Sequence, residues 1–312
     1  MADCLLVLNA AESLLHIIIA RREADGTHTR LCAQSWHAPA QGAEILTPAL
    51  DDALQRLRIA PHDIGRIAAV RGPGSFTGLR LVLATASGLA RATGALQAGL
   101  DYLPLLAASA LQAIPAEALE DPSPQNAPPI AAFSRRVWVL THARRNLVHL
   151  QGFQAEALGP VEDMSGLPLS LRSLCDILVC SPEEAALYLT RFEAEQPAPQ
   201  GKAASLALGS GLTRNRESFA QALQAEAGKS ASPPLLLLPS SFDHPSPEVL
   251  QGAATDAVYG PADPEPLYIR PADAIDNLEK IAISLGLDPE ATKKRFQELT
   301  GKGTEQQGLK PR

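Results

Sequence analysis

Residues 66–93 carry a short apolar run, RIAAV, into the loop RGPGSFTGLR and then into a stretch of helical periodicity. This succession of buried strand, glycine turn and helix constrains the fold more than any other segment. The loop motif comprises Gly72, Pro73, Gly74, Ser75, Phe76, Thr77 and Gly78. Its G-x-G-x-x-x-G spacing is neither the dinucleotide fingerprint nor a Walker A loop, which needs a lysine after the last glycine. Pro73 stands where a G-x-S-x-G nucleophile elbow would have its first glycine, so a serine hydrolase is disfavoured. Two readings are left. Backbone amides at the helix start could cradle an anion. Alternatively the loop is a tight turn in which glycine supplies positive φ, Ser75 and Thr77 offer capping oxygens and Phe76 plugs into the core.

The helix from 78 to about 93 has two unlike faces. At about 100° per residue, Leu79, Val82, Leu83, Ala86, Leu89 and Ala90 form one apolar side suited to a sheet. Arg80, Ala84, Ser87, Gly88 and Arg91 form the other. Glycine inside a helix costs about 1 kcal/mol relative to alanine. Gly88 therefore predicts close approach by another backbone, either a neighbouring helix of the same lobe or a partner subunit.

Elsewhere the chain reads as alternating strands and helices. Residues 5–8 and 14–20 form an opening antiparallel hairpin and 27–36 a third strand after a turn at Gly26. A helix follows over 45–57, in which Pro48 is tolerable only near the first turn. Residues 61–64 make a short helical turn. The first lobe ends near 103–104. The segment 113–129 is a Pro/Ala-rich flexible insertion. Strands are expected at 130–133, 137–141, 147–153 and 177–181, with a helix at 182–191 capped by Ser181. A linker covers 195–202, and 205–215 gives strand, Gly-x-Gly turn and helix start. A second low-complexity loop, 228–247, holds an LLLL run suited to an edge strand. Residues 248–258 are helical, and a capped helix spans 288–299. The domains expected are 1–104, 105–262 and a tail at 263–312.

The 312 residues are 46% hydrophobic but only 4% aromatic, which favours helices close-packed on sheets, an α/β class. A formal charge of -7 argues against a direct grip on nucleic-acid backbone, because that affinity comes from Lys and Arg. Cys4, Cys32, Cys175 and Cys180 have no CxxC spacing and read as reduced, small hydrophobes. No two of the seven histidines lie at i, i+4, so a helical HExxH zinc site is absent, and no calcium-loop pattern occurs. The apolar N-terminus lacks a basic leader and is broken by Asn9, Glu12, Ser13 and His16. A cytoplasmic protein without signal or membrane anchor is expected.

The run at 61–90 resembles the signature of the bacterial TsaB (YeaZ) family, the subunit that supports threonylcarbamoylation of the tRNA adenosine beside the anticodon. GPGSFTGLR at 72–80 matches its hallmark residue for residue. LLVLNAAES, AEILTPAL, LGSG and PLYIRPADA follow the family order more weakly. The resemblance implies an actin-like, sugar-kinase-like (ASKHA) fold of two lobes, each a mixed sheet flanked by helices. It also implies a non-catalytic paralogue of the transferase TsaD, with no cofactor and no catalytic or metal-binding residues of its own. TsaD and a TsaE-like ATPase would be its partners, tRNA would be reached only through the complex, and self-association would be an option when TsaD is missing. The partner face would be Arg80, Ala84, Ser87, Gly88 and Arg91. Departures from the family pattern weaken nucleotide chemistry further: Asn9 stands for the usual aspartate, and where relatives often carry Asp-Ala-Arg and then Glu-Val-Tyr this chain has His142-Ala143-Arg144 and Leu147-Val148-His149, which removes two more carboxylates. An active ATP-dependent phosphotransferase of the same fold is the alternative. A glycoprotease is a third reading, without metal ligands to support it.

Overall fold

The computed structural model describes residues 4–114, 135–157, 169–196, 205–227, 235–269 and 288. The chain separates into two compact units, Met1–Leu267 and Tyr268–Arg312, and every helix and strand named below belongs to the first.

The opening hairpin pairs β1 (Cys4–Asn9) with β2 (Leu14–Arg22) antiparallel, setting Leu6 against Ile19 and Leu8 against Ile17. On its other side β1 pairs parallel with β4 (Ile64–Gly72), which in turn pairs parallel with β5 (Leu96–Asp101). With β3 (His28–His37) at the edge, the order is β3-β2-β1-β4-β5. All six residues of β1 are buried, as expected of a parallel-paired strand covered on both faces. Leu5 and Val7 point to one face of this sheet, Leu6 and Leu8 to the other.

The second sheet contains β6 (Arg135–Arg144), β7 (Leu147–Ala157), β8 (Leu169–Ser173), β10 (Ser205–Leu208) and β11 (Leu235–Leu237), in the order β11-β10-β6-β7-β8. The short β9 (Leu178–Cys180) also pairs with β7. The LLLL run does form an edge strand, parallel to β10. Both sheets are mixed and flanked by helices, and the fold class is the ASKHA one expected.

Helices sort the apolar residues into three cores. Outside the first sheet lie α1 (Gly42–Leu57) and α2 (Phe76–Thr93), packing Leu46, Leu50, Val82 and Ala86 on Leu6, Leu8 and Ile17. Outside the second lie α4 (Pro182–Glu195), the short α5 (Ser210–Arg214) and α6 (Arg216–Ala227), which enclose Trp138 with Leu189, Leu212 and Phe219. Between the sheets run α3 (Tyr102–Ala113) and α7 (Pro247–Asp256).

Helix α3 was not foreseen. Its sequence YLPLLAASALQA has no polar face, and nine of its twelve residues are buried, because both sheets pack on it. The expected lobe end at 104 falls in its first turn, and Ala113, assigned to the insertion, is its last residue. Strands β5 and β8 were likewise missed. Pro48 lies well inside α1 rather than near its first turn, so the Glu44 carbonyl has no N–H to receive there. Helix α4 begins where predicted, with Ser181 and Glu184 making a reciprocal capping box. The strand expected at 130–133, most of the insertion at 113–129 and all but Asp288 of the helix expected at 288–299 lie outside the described residues.

Candidate functional site

Strand β4 delivers the glycine loop against the turn that joins β1 to β2. The Ser75 amide donates to the Ala11 carbonyl at 2.6 Å. A side chain on Gly74 would place Cβ 2.3 Å from that carbonyl oxygen, and one on Gly78 would place it 2.0 Å from the Ala10 oxygen. Gly72 has φ +123°, a conformation open to glycine, and its would-be Cβ lies 2.9 Å from the Leu267 carbonyl. All three glycines are thus required by backbone approach. The Ser75 hydroxyl accepts from the Gly78 amide at 3.2 Å and caps α2, as the tight-turn reading expected. With the Ser75 and Gly78 amides spent inside the fold, the anion cradle loses two of its donors.

Phe76 departs from expectation. It is 42% exposed, and the Arg80 guanidinium lies 3.8 Å above its ring. The core position it was expected to plug is filled by Leu79, only 1% exposed. A phenylalanine at the first residue of α2 points away from the sheet, because the capped turn already fixes the phase of the helix.

On α2 itself Leu79, Val82, Leu83, Ala86 and Ala90 are buried and Leu89 is half-buried, so the inward face is as predicted. Arg80, Ala84, Gly88 and Arg91 are exposed and Ser87 is half-buried. A Cβ at Gly88 would meet nothing within 4 Å. Among the described residues, its smallness therefore answers to no neighbouring helix of the same lobe. Arg91 is tied down: it pairs with Asp263 at 2.8 Å, and Asp263 also accepts from Gln97 at 2.9 Å. The Ser87 hydroxyl donates to Gln97 at 3.5 Å. The sequence-predicted face is thus one open surface, Arg80, Ala84 and Gly88 with Phe76 beside them. A second part, Ser87 and Arg91, is engaged by the segment after α7.

Asn9, almost fully buried, is committed on both ends of its amide. Its Nδ2 donates to His16 Nδ1 at 3.0 Å and its Oδ1 accepts from the Ala11 amide at 3.0 Å. Burial holds the His16 imidazole neutral, with its pKa lowered to about 4. His142 donates its backbone N–H to Ser210 Oγ at 3.0 Å, and His149 Nδ1 lies 3.4 Å from the Thr141 hydroxyl.

Sequence reading missed the residue that joins these parts. Glu12, in the β1–β2 turn, accepts a hydrogen bond from Ser210 Oγ at the start of α5 and lies 3.3 Å from the Tyr102 hydroxyl at the start of α3. Tyr102 lies equally far, 3.3 Å, from the Asp243 carbonyl, while Thr213 donates to the Asp243 carboxylate at 2.8 Å. Only the one carboxylate in a small-residue turn hinted at this. Among the described residues, no three His, Cys, Asp or Glu side chains gather as a metal site would require, and no helix is long and apolar enough to cross a membrane.

Residues 37–131 match the TsaD family, tRNA N6-adenosine threonylcarbamoyltransferase. Among solved structures, an uncharacterized Pseudomonas aeruginosa protein described as similar to the peptidase YEAZ matches with a TM-score of 0.54 and 20% identity, covering 86% of this chain and all of that one. YeaZ from Pseudomonas aeruginosa matches with a TM-score of 0.54 and 19% identity, at the same coverage. No curated protein matches the sequence.

Proposed function

Because the chain is TsaB/YeaZ-like in fold and carries a TsaD-family match over 37–131, we propose that it is a subunit of the tRNA threonylcarbamoylation system, one that docks to a TsaD-like transferase. The carrying observation is the open small-residue face of α2. A helix presenting Gly88 to water gives up about 1 kcal/mol relative to alanine, and among the described residues nothing lies close enough to Gly88 to require its smallness. Arg80, stacked on exposed Phe76, flanks this face as a pre-oriented cation. Ser87 and Arg91 form its far end, next to Asp263.

The subunit is read as non-catalytic and cofactor-free, since Asn9 is a neutral amide whose nitrogen and oxygen are each engaged inside the fold, by His16 and Ala11. Lobes at 1–104 and 105–262, a TsaE-like ATPase as second partner, tRNA contact only through the complex, and a cytoplasmic location complete the proposal. The formal charge of -7 supports indirect tRNA contact.

Depleting the protein in its host is expected to lower threonylcarbamoyl-adenosine in bulk tRNA, read by nucleoside mass spectrometry. Unchanged modification after full depletion removes the assignment. The docking face has its own test: Gly88→Leu and Arg80→Glu should each abolish co-elution with the transferase subunit, while Tm stays within about 4 °C of wild type, the change expected for surface substitutions. Wild-type affinity in both variants would place the interface elsewhere.

A further inference from the structure

The Glu12 cluster spans elements of both sheets, and its hydrogens do not add up if every carboxyl is ionised. The Ser210 hydroxyl donates to Glu12, while its oxygen accepts from the His142 amide. Tyr102 has one hydroxyl hydrogen and two acceptors equally far away, the Glu12 carboxyl and the Asp243 carbonyl. With Glu12 ionised, one of those acceptors goes unserved. With Glu12 protonated, its own hydrogen goes to the Tyr102 oxygen, Tyr102 donates onward to Asp243, and the chain closes.

We propose that the Glu12 carboxyl is a proton-operated catch between the β1–β2 turn of the first sheet and helices α3 and α5. Protonated, it holds the turn to Tyr102 and Ser210; ionised, it loosens that hold.

The surroundings set the sign. Burial, the largest influence, and the nearby Asp243 carboxylate push the Glu12 pKa up from 4.5 to about 7. The hydrogen bonds from Ser210 and Tyr102 and the charge of Arg214 pull it down without cancelling that rise. Asp243 is itself raised, chiefly by burial. His244, hydrogen-bonded to Ser13 at 3.2 Å, is kept neutral by burial, with a pKa lowered to about 4. His142 is shifted down by burial and then by Arg214, so it too contributes little positive charge near neutrality. An acid whose folded pKa is raised holds the closed form fully below its ordinary value. It loses that hold as pH rises to the folded value, and the loss levels off above it. The window here runs from about pH 4.5 to pH 7.

Amide hydrogen exchange on the full chain, corrected for the intrinsic pH dependence, tests this at residues 10–13 and 210–214. Wild-type protection of both segments, taken relative to Glu12→Gln, should fall at least about tenfold between pH 5 and 7 and then level off. Glu12→Gln keeps a hydrogen for Tyr102 and cannot ionise, so it supplies the flat reference. Wild-type protection that tracks Glu12→Gln at every pH overturns the proposal. Should Glu12→Gln fail to fold, Asp243→Asn carries the test alone. Removing the neighbouring negative charge must make the fall end at a lower pH than in wild type, and an unmoved end point overturns the proposal.

Discussion

Gly78→Ala is expected to lower Tm by about 6–12 °C, the largest single-methyl effect in the loop. The new Cβ would sit 2.0 Å from the Ala10 carbonyl oxygen, a backbone atom that cannot turn aside as a side-chain end does. Relieving it means moving the β1–β2 turn away from α2 and breaking the hydrogen bond from the Ser75 amide to Ala11. Overpacking against fixed atoms costs about 3 kcal/mol or more, and each kcal/mol moves Tm by about 2–4 °C in a chain of this size. Gly88→Ala is the matched control. It adds the same methyl on the same helix where nothing lies within 4 Å, and should raise Tm by the few degrees that about 1 kcal/mol of helix propensity supplies. Equal melting behaviour of the two variants, by circular dichroism, would mean that the loop is not clamped on the turn.

The second large effect concerns Glu193, buried in α4 behind the second sheet. One carboxylate oxygen accepts from Trp138 Nε1 at 2.9 Å and Ser205 Oγ at 2.7 Å, and the other pairs with Arg136 at 2.8 Å. Arg136, 6% exposed, also donates to Gln154 Oε1 at 3.2 Å and to the Gln196 carbonyl. Glu193→Ala strands this cation and two further donors in the interior, so a loss of about 3–5 kcal/mol is expected in urea unfolding. The pair Glu193→Leu with Arg136→Met should be less destabilised than Glu193→Ala alone, because no charge is then left unmatched. A double variant no better than the single one would assign the loss to packing around Trp138 instead.

The elements legible in the sequence were those whose signals are local. The β1–β2 hairpin showed its two apolar runs, α2 its periodic face, and α4 its Ser181 cap with Glu184 three residues on. Helix α3 was illegible for the opposite reason. Amphipathicity reveals a helix only when one side meets water, and both sides of α3 meet sheets. Strand β5, LQAGLD, alternates too weakly to stand out and owes its place to pairing with β4. The site divides in the same way. Ser75 as cap and the exposure of Arg80, Ala84 and Gly88 follow from helix phase. The engagement of Arg91 by Asp263 joins residues 172 positions apart, and that of Glu12 by Ser210 residues 198 apart. Neither contact leaves a trace in local pattern.

That two sheets share α3 as a common wall bears on how such a protein can be taken apart. Cut before Tyr102, the N-terminal piece would bare Leu5, Val7, Ile18, Ala68 and Val70; cut after Ala113 instead, the remainder would lose the α3 cover over Val137, Val139, Leu206 and Leu208. Whichever fragment kept α3, the other would be left with an uncovered apolar sheet, an adhesive surface rather than a domain. The two halves are therefore not modules joined by a linker but two tenants of one partition, and a change in α3 is transmitted to both.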